Sequence, residues 1–171
     1  MKTSSACEFY QNVAAASFRS LSDGDIEALL QPFYLGLGFD ARRARFGGAA
    51  SDDAVIRYCR DLASKDSMLF GCVEPGGLVA VVELHPLAIS AELAFASAAK
   101  SERLLIYAHL LQLAAFAAGR DGYRELLMPV ELIEPEVLEL LRGMGQLSIR
   151  DGTASVDLGE YARLHGFVVG D

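Results

Sequence analysis

The hydrophobic positions of this 171-residue chain change their period several times, and each change marks a predicted element. Alternating or short continuous apolar runs predict strands, whereas apolar residues three and four positions apart predict helices. The resulting order is β, α, α, β, β, β, α, β, α, β, β. The predicted strands cover 12–21, 68–73, 78–84, a segment from residue 91, 126–132, and two short strands within 146–158. This order predicts an α/β fold with a mixed sheet of about seven strands and helices on both faces.

The centre of the predicted fold is a strand that leads directly into a long apolar helix, within residues 91–123. The strand carries one carboxylate, Glu92, and the helix is predicted from about Arg103 to Ala118. The segment ELLMPVEL that follows is a second strand, which can lie parallel to the first. The three elements predict a βαβ crossover, and an anionic ligand would lie at the N-terminus of its helix. We expect this helix to be mostly buried, with a narrow polar stripe of Glu102, His109 and Gln112.

Turn and cap residues mark several of the predicted boundaries. The sequence EPGG and the pair Asp151-Gly152 each separate two predicted strands, so both predict hairpins. Ser22 and Ser51 precede helical patterns as N-caps. Pro32 is expected to bend or end the first part of its helix.

The length and composition predict one folded domain. Hydrophobic residues make up 52% of the chain, which provides a sizeable core. Residues 1–11 show no periodicity and are predicted to be a loose leader, so a single domain is expected over 12–171. The net charge of −8 argues against binding to nucleic acid or to an anionic membrane surface. The apolar run at 104–118 is too short to span a bilayer.

The three cysteines, Cys7, Cys59 and Cys72, are widely spaced and odd in number. They predict free thiols in a reducing cytoplasm rather than a disulfide framework. The N-terminus also lacks the apolar core of a secretory signal, so a cytoplasmic location is expected. The three dispersed histidines make no metal-ligand pattern, and no metal cofactor is predicted.

Two further sets of residues carry candidate chemistry. Glu83 and His85 alternate on one face of their strand, so they either share a proton in a cleft or are solvated near the strand end before Pro86. We favour the solvated alternative. His109, in the middle of an apolar helix, is expected to be a satisfied half-buried histidine.

The only basic cluster consists of Arg42, Arg43 and Arg45. These side chains would bind the phosphates of a nucleotide cofactor or an acidic substrate. Alternatively, they pair at the surface with nearby carboxylates, Asp40, Asp52 and Asp53, and this second interpretation is favoured.

The element order and several local segments resemble the GNAT superfamily of acyl-CoA-dependent N-acetyltransferases. LSDGDIEALLQPFYLGLGFDARRARF is similar to the first strand-to-helix region of the family, AELAF to the start of its fourth strand, and VELIEPEVLELLRGMG to its fifth strand and fourth helix. The resemblance implies acyl transfer from acetyl-CoA or another acyl-CoA to an amine, which is a small molecule or a protein lysine. It also implies that Glu92 acts as the general base.

The resemblance places the acyl-CoA site along the central strand and the start of the helix after it. The implied cofactor-binding residues are Phe95, Ala96, Ser97, Arg103, Leu104, Leu105, Ile106, Tyr107 and Ala108. The family signature Q/R-x-x-G-x-G/A falls on residues 102–107, where Leu105 and Tyr107 replace its two glycines. We therefore expect weak binding of acetyl-CoA or none. Two functions stay open, an N-acetyltransferase and an inactive GNAT-like domain that senses a ligand or directs assembly. The sequence also leaves a homodimer open.

Overall fold

One mixed seven-stranded sheet forms the centre of the protein, in a computed structural model that describes residues 16–98 and 103–159. The strand order is β1-β2-β3-β4-β5-β7-β6. The strands are β1 (Ser17–Ser20), β2 (Met68–Glu74), β3 (Gly77–Leu87), β4 (Ser90–Ser97), β5 (Glu125–Pro129), β6 (Leu147–Arg150) and β7 (Thr153–Asp157). The predicted fold class is confirmed. The predicted leader at 1–11 lies outside the described residues.

Helices cover both faces of this sheet. They are α1 (Asp23–Asp25), α2 (Gln31–Gly36), α3 (Phe39–Phe46), α4 (Asp52–Leu62), α5 (Arg103–Arg120) and α6 (Pro135–Met144). On one face, α5 and α6 bury a core that includes Leu84, Leu93 and Leu111. On the other face, the four N-terminal helices bury a second core that includes Leu30 and Val81. In the described part of the chain, no helix is both long and apolar enough to cross a membrane.

The predicted helix starts are confirmed at Ser22 and Ser51. The Ser22 main-chain N–H donates to Asp25 Oδ2 at 2.8 Å, which forms a capping box, and Ser51 Oγ accepts the main-chain N–H of Ala54 at 3.2 Å. A π turn (Ile26–Leu30) joins α1 to α2 and ends two residues before Pro32. The wide turn lets the helix pass the proline, which cannot donate a main-chain hydrogen bond.

Both predicted hairpins are confirmed. β2 and β3 pair across the EPGG turn, and β6 and β7 pair across Asp151-Gly152. Asp151 and Gly152 have φ values of 49° and 77°, as the two central residues of a type I′ turn require. The predicted strand at 126–132 is shorter than expected, because its last residues form a 3₁₀ turn (Val130–Leu132).

The parallel pairing between β4 and β5 covers only one end of β4. The register pairs are Ser90–Glu125, Ala91–Leu126 and Glu92–Leu127, although β4 itself continues to Ser97. Beyond Glu92 the two strands separate. The predicted βαβ crossover is therefore present, and its two parallel strands separate in the middle of the sheet.

The helix of this crossover, α5, is mostly buried as predicted, but its exposed surface is not the narrow polar stripe expected. His109 and Gln112 are exposed, while Glu102 lies outside the described residues. Three large apolar side chains are exposed as well, Leu104 by 40%, Leu105 by 39% and Phe116 by 47%. The predicted stripe was too narrow because the apolar pattern does not show which positions a neighbouring element covers.

Candidate functional site

Two cavities lie on either side of Arg45, which lines both of them. The first, the β4–β5 cleft, has a volume of about 380 Å³ and lies where β4 and β5 separate. The second, which we call the polar cavity, lies over the β3–β4 pair and the segment that precedes β2. Its lining includes Tyr58, Lys65, Asp66, Ser67, His85 and Glu92.

The β4–β5 cleft brings together five of the nine predicted cofactor-binding residues. They are Phe95, Ala96, Ser97, Arg103 and Tyr107. The other four do not line this cleft. Leu104 and Leu105 are exposed on α5, Ile106 is buried in the core, and Ala108 is half-buried. Only one side of the first turn of α5 therefore faces the cleft. Whether any of the nine residues binds a cofactor stays a prediction.

An ion pair between two elements lies in the β4–β5 cleft. Arg103, at the start of α5, pairs with Glu134, the N-cap residue of α6, and both residues line the cleft. Arg103 Nη1 also donates to Glu134 Oε1 at 3.1 Å. Each side chain keeps more than a third of its surface exposed. The cation that a phosphate would meet here is therefore already neutralised by a carboxylate of the same chain.

Tyr107 forms part of the inner wall of the same cleft. Its side chain is buried and packs edge-on against Phe95, with ring centroids 5.1 Å apart. Burial, together with the nearby Glu134 charge, raises the pKa of the Tyr107 hydroxyl well above its ordinary value, although a hydrogen bond with Ser97 opposes this. The hydroxyl is therefore protonated at neutral pH.

A buried carboxylate, Glu83, lies behind the wall of the polar cavity and contacts its lining residues Arg45, Tyr58 and His85. It is completely buried, and it accepts hydrogen bonds from the hydroxyls of Tyr34 and Tyr58. Glu83 Oε2 also lies 2.8 Å from Arg45 Nη2 and 3.0 Å from His85 Nε2. The solvated interpretation was wrong for Glu83, whereas His85 is partly exposed and lines the polar cavity. β3 continues past Pro86 to Leu87, so Glu83 lies well inside the strand and beneath three helices.

The neighbours of Glu83 determine its charge. Burial alone raises the pKa of a carboxyl group, but the Arg45 charge and the hydrogen bonds from His85, Arg45 and Tyr34 outweigh burial. They lower the pKa of Glu83 to about 2, so the group is ionised at neutral pH. The same burial, reinforced by the Glu83 charge, raises the pKa of Tyr58 far above its ordinary value.

His85 links Glu83 to the surface of the polar cavity. Its Nε2 faces Glu83, and its Nδ1 lies 2.9 Å from Ser67 Oγ. An ionised carboxylate only accepts hydrogen bonds, so Nε2 donates to Glu83, and in the neutral imidazole Nδ1 then accepts the Ser67 hydroxyl. Ser67 and His85 are both partly exposed and line the cavity.

The three arginines predicted to act together have separate environments. Arg45 is buried against the rings of Tyr34, Phe46 and Tyr58, with its guanidinium carbon 5.0–5.6 Å from their centroids, so a surface position was wrong for this residue. Arg42 does pair with Asp52, at 2.6 Å, as the surface interpretation expected. Arg43 is exposed.

Glu92 lies on the same face of the sheet as this network, directly opposite His85 in the β3–β4 register. It lines the polar cavity but is exposed, so the partial burial expected of a general base is not observed. Its role as a base stays a prediction. His109 is also exposed rather than half-buried, with Nδ1 2.9 Å from the Leu105 carbonyl oxygen and its ring stacked on Phe18.

Sequence reasoning missed Tyr34, Tyr58 and Ser67, which complete the network. A signal for the first two was present. Glu83 interrupts the otherwise apolar strand LVAVVEL, and a buried charge requires polar partners. Nothing in the sequence shows which tyrosines supply them. Among the described residues, no group of three or more His, Cys, Asp or Glu side chains is placed to hold a metal ion.

Solved structures of N-acetyltransferases resemble this architecture, although the sequence itself matches no family model and no curated protein. The GNAT domain of S. lividans PAT is 20% identical, with a TM-score of 0.61 over 82% of this chain and 88% of that domain. A phosphinothricin acetyltransferase from Sinorhizobium meliloti, in complex with AcCoA, is 12% identical, with a TM-score of 0.59 over 85% and 90%. Spermidine N-acetyltransferase from Vibrio cholerae, in complex with CoA and spermine, is 14% identical, with a TM-score of 0.58 over 86% and 98%.

The similarity extends over most of each chain. At 12–20% identity it establishes the fold and not the substrate. The chain has the fold of the GNAT-superfamily N-acetyltransferases.

Proposed function

We propose that this protein transfers an acyl group from an acyl-CoA thioester to an amine. The single observation that carries the proposal is the separation of β4 from β5 beyond Glu92 and Leu127. A strand edge exposed in the middle of a sheet presents main-chain donors and acceptors that an extended ligand can pair with. Coenzyme A contains two amides in such an extended arm, so the shape and chemistry of the cleft fit it.

The residues of the β4–β5 cleft fit the two ends of this ligand differently. Phe95 and Ala96 belong to β4 and offer an apolar wall beside the opened strand edge, which suits the acyl group and its arm. Arg103, at the N-terminus of α5, is the group that would bind a phosphate. When bound in the β4–β5 cleft, acyl-CoA would supply an activated carbonyl group to the adjoining polar cavity.

The polar cavity is the proposed binding site for the amine. Glu92 and Asp66 line it and offer two carboxylates to an ammonium group, next to Lys65 and to Arg45, whose charge is paired with Glu83. An amine must lose a proton before it attacks a carbonyl group, and Glu92 is the exposed carboxylate on the central strand that would accept this proton. Arg45 lines both cavities, so the two cavities adjoin, which supports transfer from a donor in one to an acceptor in the other.

A second candidate function is a domain that binds a ligand without transferring an acyl group. The observation that favours it is the pairing of Arg103 with Glu134, which together with the missing signature glycines weakens the site for the pyrophosphate. Both functions predict weak binding of acetyl-CoA, and only the transferase predicts release of free CoA in the presence of an amine.

Calorimetric titration with acetyl-CoA, followed by a CoA-release assay with a panel of polyamines, amino acids and lysine peptides, tests the proposal. We expect a dissociation constant weaker than low micromolar, and amine-dependent CoA release. Binding without release for any amine favours the ligand-binding domain. If acetyl-CoA neither binds nor raises the melting temperature, the proposal is wrong.

Glu92→Gln tests the base directly. Turnover should fall about 10²–10⁴-fold while the affinity for acetyl-CoA stays unchanged, because general-base catalysis contributes a factor of that size. Glu125→Gln is the matched control, since Glu125 is an exposed strand carboxylate that lines neither cavity. A Glu92→Gln enzyme with the pH–rate profile of the wild type would exclude Glu92 as the base.

A further inference from the structure

Ser67, His85 and Glu83 form a continuous hydrogen-bonded chain from the polar cavity into the core. Ser67 Oγ lies 2.9 Å from His85 Nδ1, and His85 Nε2 lies 3.0 Å from Glu83 Oε2. The order is a hydroxyl at the cavity, an imidazole between, and a fully buried carboxylate behind. These are the components of a nucleophile, its base and the group that orients the base.

We propose that Ser67 is an acyl-accepting nucleophile, activated by His85 and oriented through Glu83, which takes acyl groups from activated esters or thioesters. The site is separate from the direct transfer proposed above and does not require acyl-CoA to bind in the β4–β5 cleft. The acyl-serine would form in the polar cavity, beside the proposed site of the amine.

The orientation of His85 supports this role. Glu83 is held by Tyr34, Arg45 and Tyr58 on its other sides, so its position is fixed and it accepts the Nε2 proton. Nδ1 then presents a lone pair to the Ser67 hydroxyl.

Both steps of the reaction conserve atoms and charge. In the first, Ser67 Oγ forms a bond to the acyl carbon, its proton moves to His85 Nδ1, and the bond from the acyl carbon to the ester oxygen or thioester sulfur breaks. The leaving group takes the proton from His85. In the second, water or an amine attacks the acyl-serine, gives a proton to His85, and releases Ser67, which regains its proton. The charges of Arg45 and Lys65, which also line the cavity, would stabilise the oxyanion.

Ser64 provides a matched control within the same cavity. It also lines the polar cavity, but its hydroxyl donates to the Asp61 carbonyl oxygen at 2.7 Å instead of to an imidazole. The two serines therefore share a cavity and differ in the group that could activate them. If solvent exposure alone governed the reaction, the hydroxyls of Ser64 and Ser67 would be modified to a similar extent. Activation by His85 instead predicts modification of Ser67 alone.

A small alkyl fluorophosphonate, which labels activated serines, tests the proposal on the full-length protein. Fragment mass spectrometry should place the label on Ser67 and not on Ser64, and protein unfolded in urea should lose the reaction. Ser67→Ala should abolish labelling and Ser64→Ala should leave it unchanged. His85→Gln should slow labelling by about 10²-fold or more, because the base is removed.

Glu83→Gln distinguishes positioning from a purely structural role. The maximal labelling rate should fall while the probe concentration that gives half of this rate stays the same. If His85→Gln or Glu83→Gln does not fold, the relative labelling of Ser67 and Ser64 in the folded wild type still tests the proposal. No label on Ser67, or equal labelling of the two serines, would overturn the proposal.

Discussion

Glu83 is the residue on which the polar cavity depends. A carboxylate removed completely from water is stabilised only when its charge is paired and its oxygen atoms are hydrogen-bonded. Here Tyr34 donates to one oxygen, while Arg45, Tyr58 and His85 surround the other. The partners come from different helices and from β3 itself, so one side chain ties the N-terminal helices to the centre of the sheet.

The ionised state of Glu83 makes part of the folding stability depend on pH. The pKa of Glu83 is about 2 in the folded protein, whereas an ordinary glutamate has a pKa of 4.5. The contribution of Glu83 to folding stability is therefore fully present above pH 4.5. This contribution is lost as the pH falls from 4.5 towards 2. At neutral pH, Glu83→Gln should cost about 3–5 kcal/mol, because it leaves Arg45 buried without an anion.

Urea unfolding of the wild type and Glu83→Gln between pH 7 and pH 3 measures this difference. The two free energies of unfolding should converge as the pH falls below 4.5. Glu125→Gln, at an exposed strand carboxylate, should follow the wild type throughout. A constant difference between the wild type and Glu83→Gln would show that the Glu83 charge is not coupled to folding.

The sequence placed Glu83 and His85 on one face of a strand but did not predict the burial of Glu83. Pro86 suggested that the strand ended there. However, β3 pairs with β2 only as far as Leu84, so at Pro86 one side of the strand needs no main-chain donor, and β3 continues to Leu87. Tyr34 and Tyr58 are 49 and 25 residues away from Glu83 in sequence. No local pattern encodes a hydrogen bond over such a separation, so the network follows only from the packing of helices on the sheet.

At the scale of elements, α5 contributes most to the core on its face of the sheet. Leu111→Ala should cost about 2–5 kcal/mol of unfolding free energy, because this side chain is fully buried and its loss leaves a cavity. Leu105→Ala, at a partly exposed position on the same helix, is the control and should cost under about 1 kcal/mol. Denaturant unfolding measures both. Equal losses would show that this face of α5 is not core.

Local signals predicted elements well and their pairing less well. Asp151-Gly152 predicted a hairpin because a type I′ turn needs positive φ at both positions, and the structure has it. Unlike the hairpin turn, the length over which β4 and β5 pair is not encoded by a local sequence signal. It depends on how far two strands stay adjacent in the folded sheet, and the apolar pattern of each strand is the same whether or not they separate. The sequence therefore did not predict the cleft, and the resemblance to the GNAT superfamily only placed a ligand site along β4 and the start of α5.

At the scale of the whole molecule, a net charge of −8 opposes the binding of an anionic cofactor. Glu134 adds one of these charges directly in the β4–β5 cleft. Glu134→Gln should raise the affinity for acetyl-CoA by up to about fivefold, because an exposed charge contact is worth up to about 1 kcal/mol and Arg103 is released to bind phosphate.

Calorimetric titration at low and moderate salt measures this effect. Glu136→Gln removes the same charge from the first turn of α6 at an exposed position that does not line the cleft, so it should change the affinity less. The gain from Glu134→Gln should shrink as salt screens the charges. Equal effects of the two substitutions would assign the change to net charge alone and not to Arg103.

The opening between β4 and β5 also divides the sheet into two hydrogen-bonded units, β1–β4 and β5–β7, joined at Ser90–Glu125, Ala91–Leu126 and Glu92–Leu127. Such units open separately when few hydrogen bonds connect them. In native-state hydrogen exchange, the amides of β5 and β7 should therefore exchange through a lower-energy opening than those of β2 and β3. A ligand that bridges the cleft would join the units and slow hydrogen exchange in β5 and β7 most. Exchange rates would therefore detect an occupant of the cleft without an activity assay.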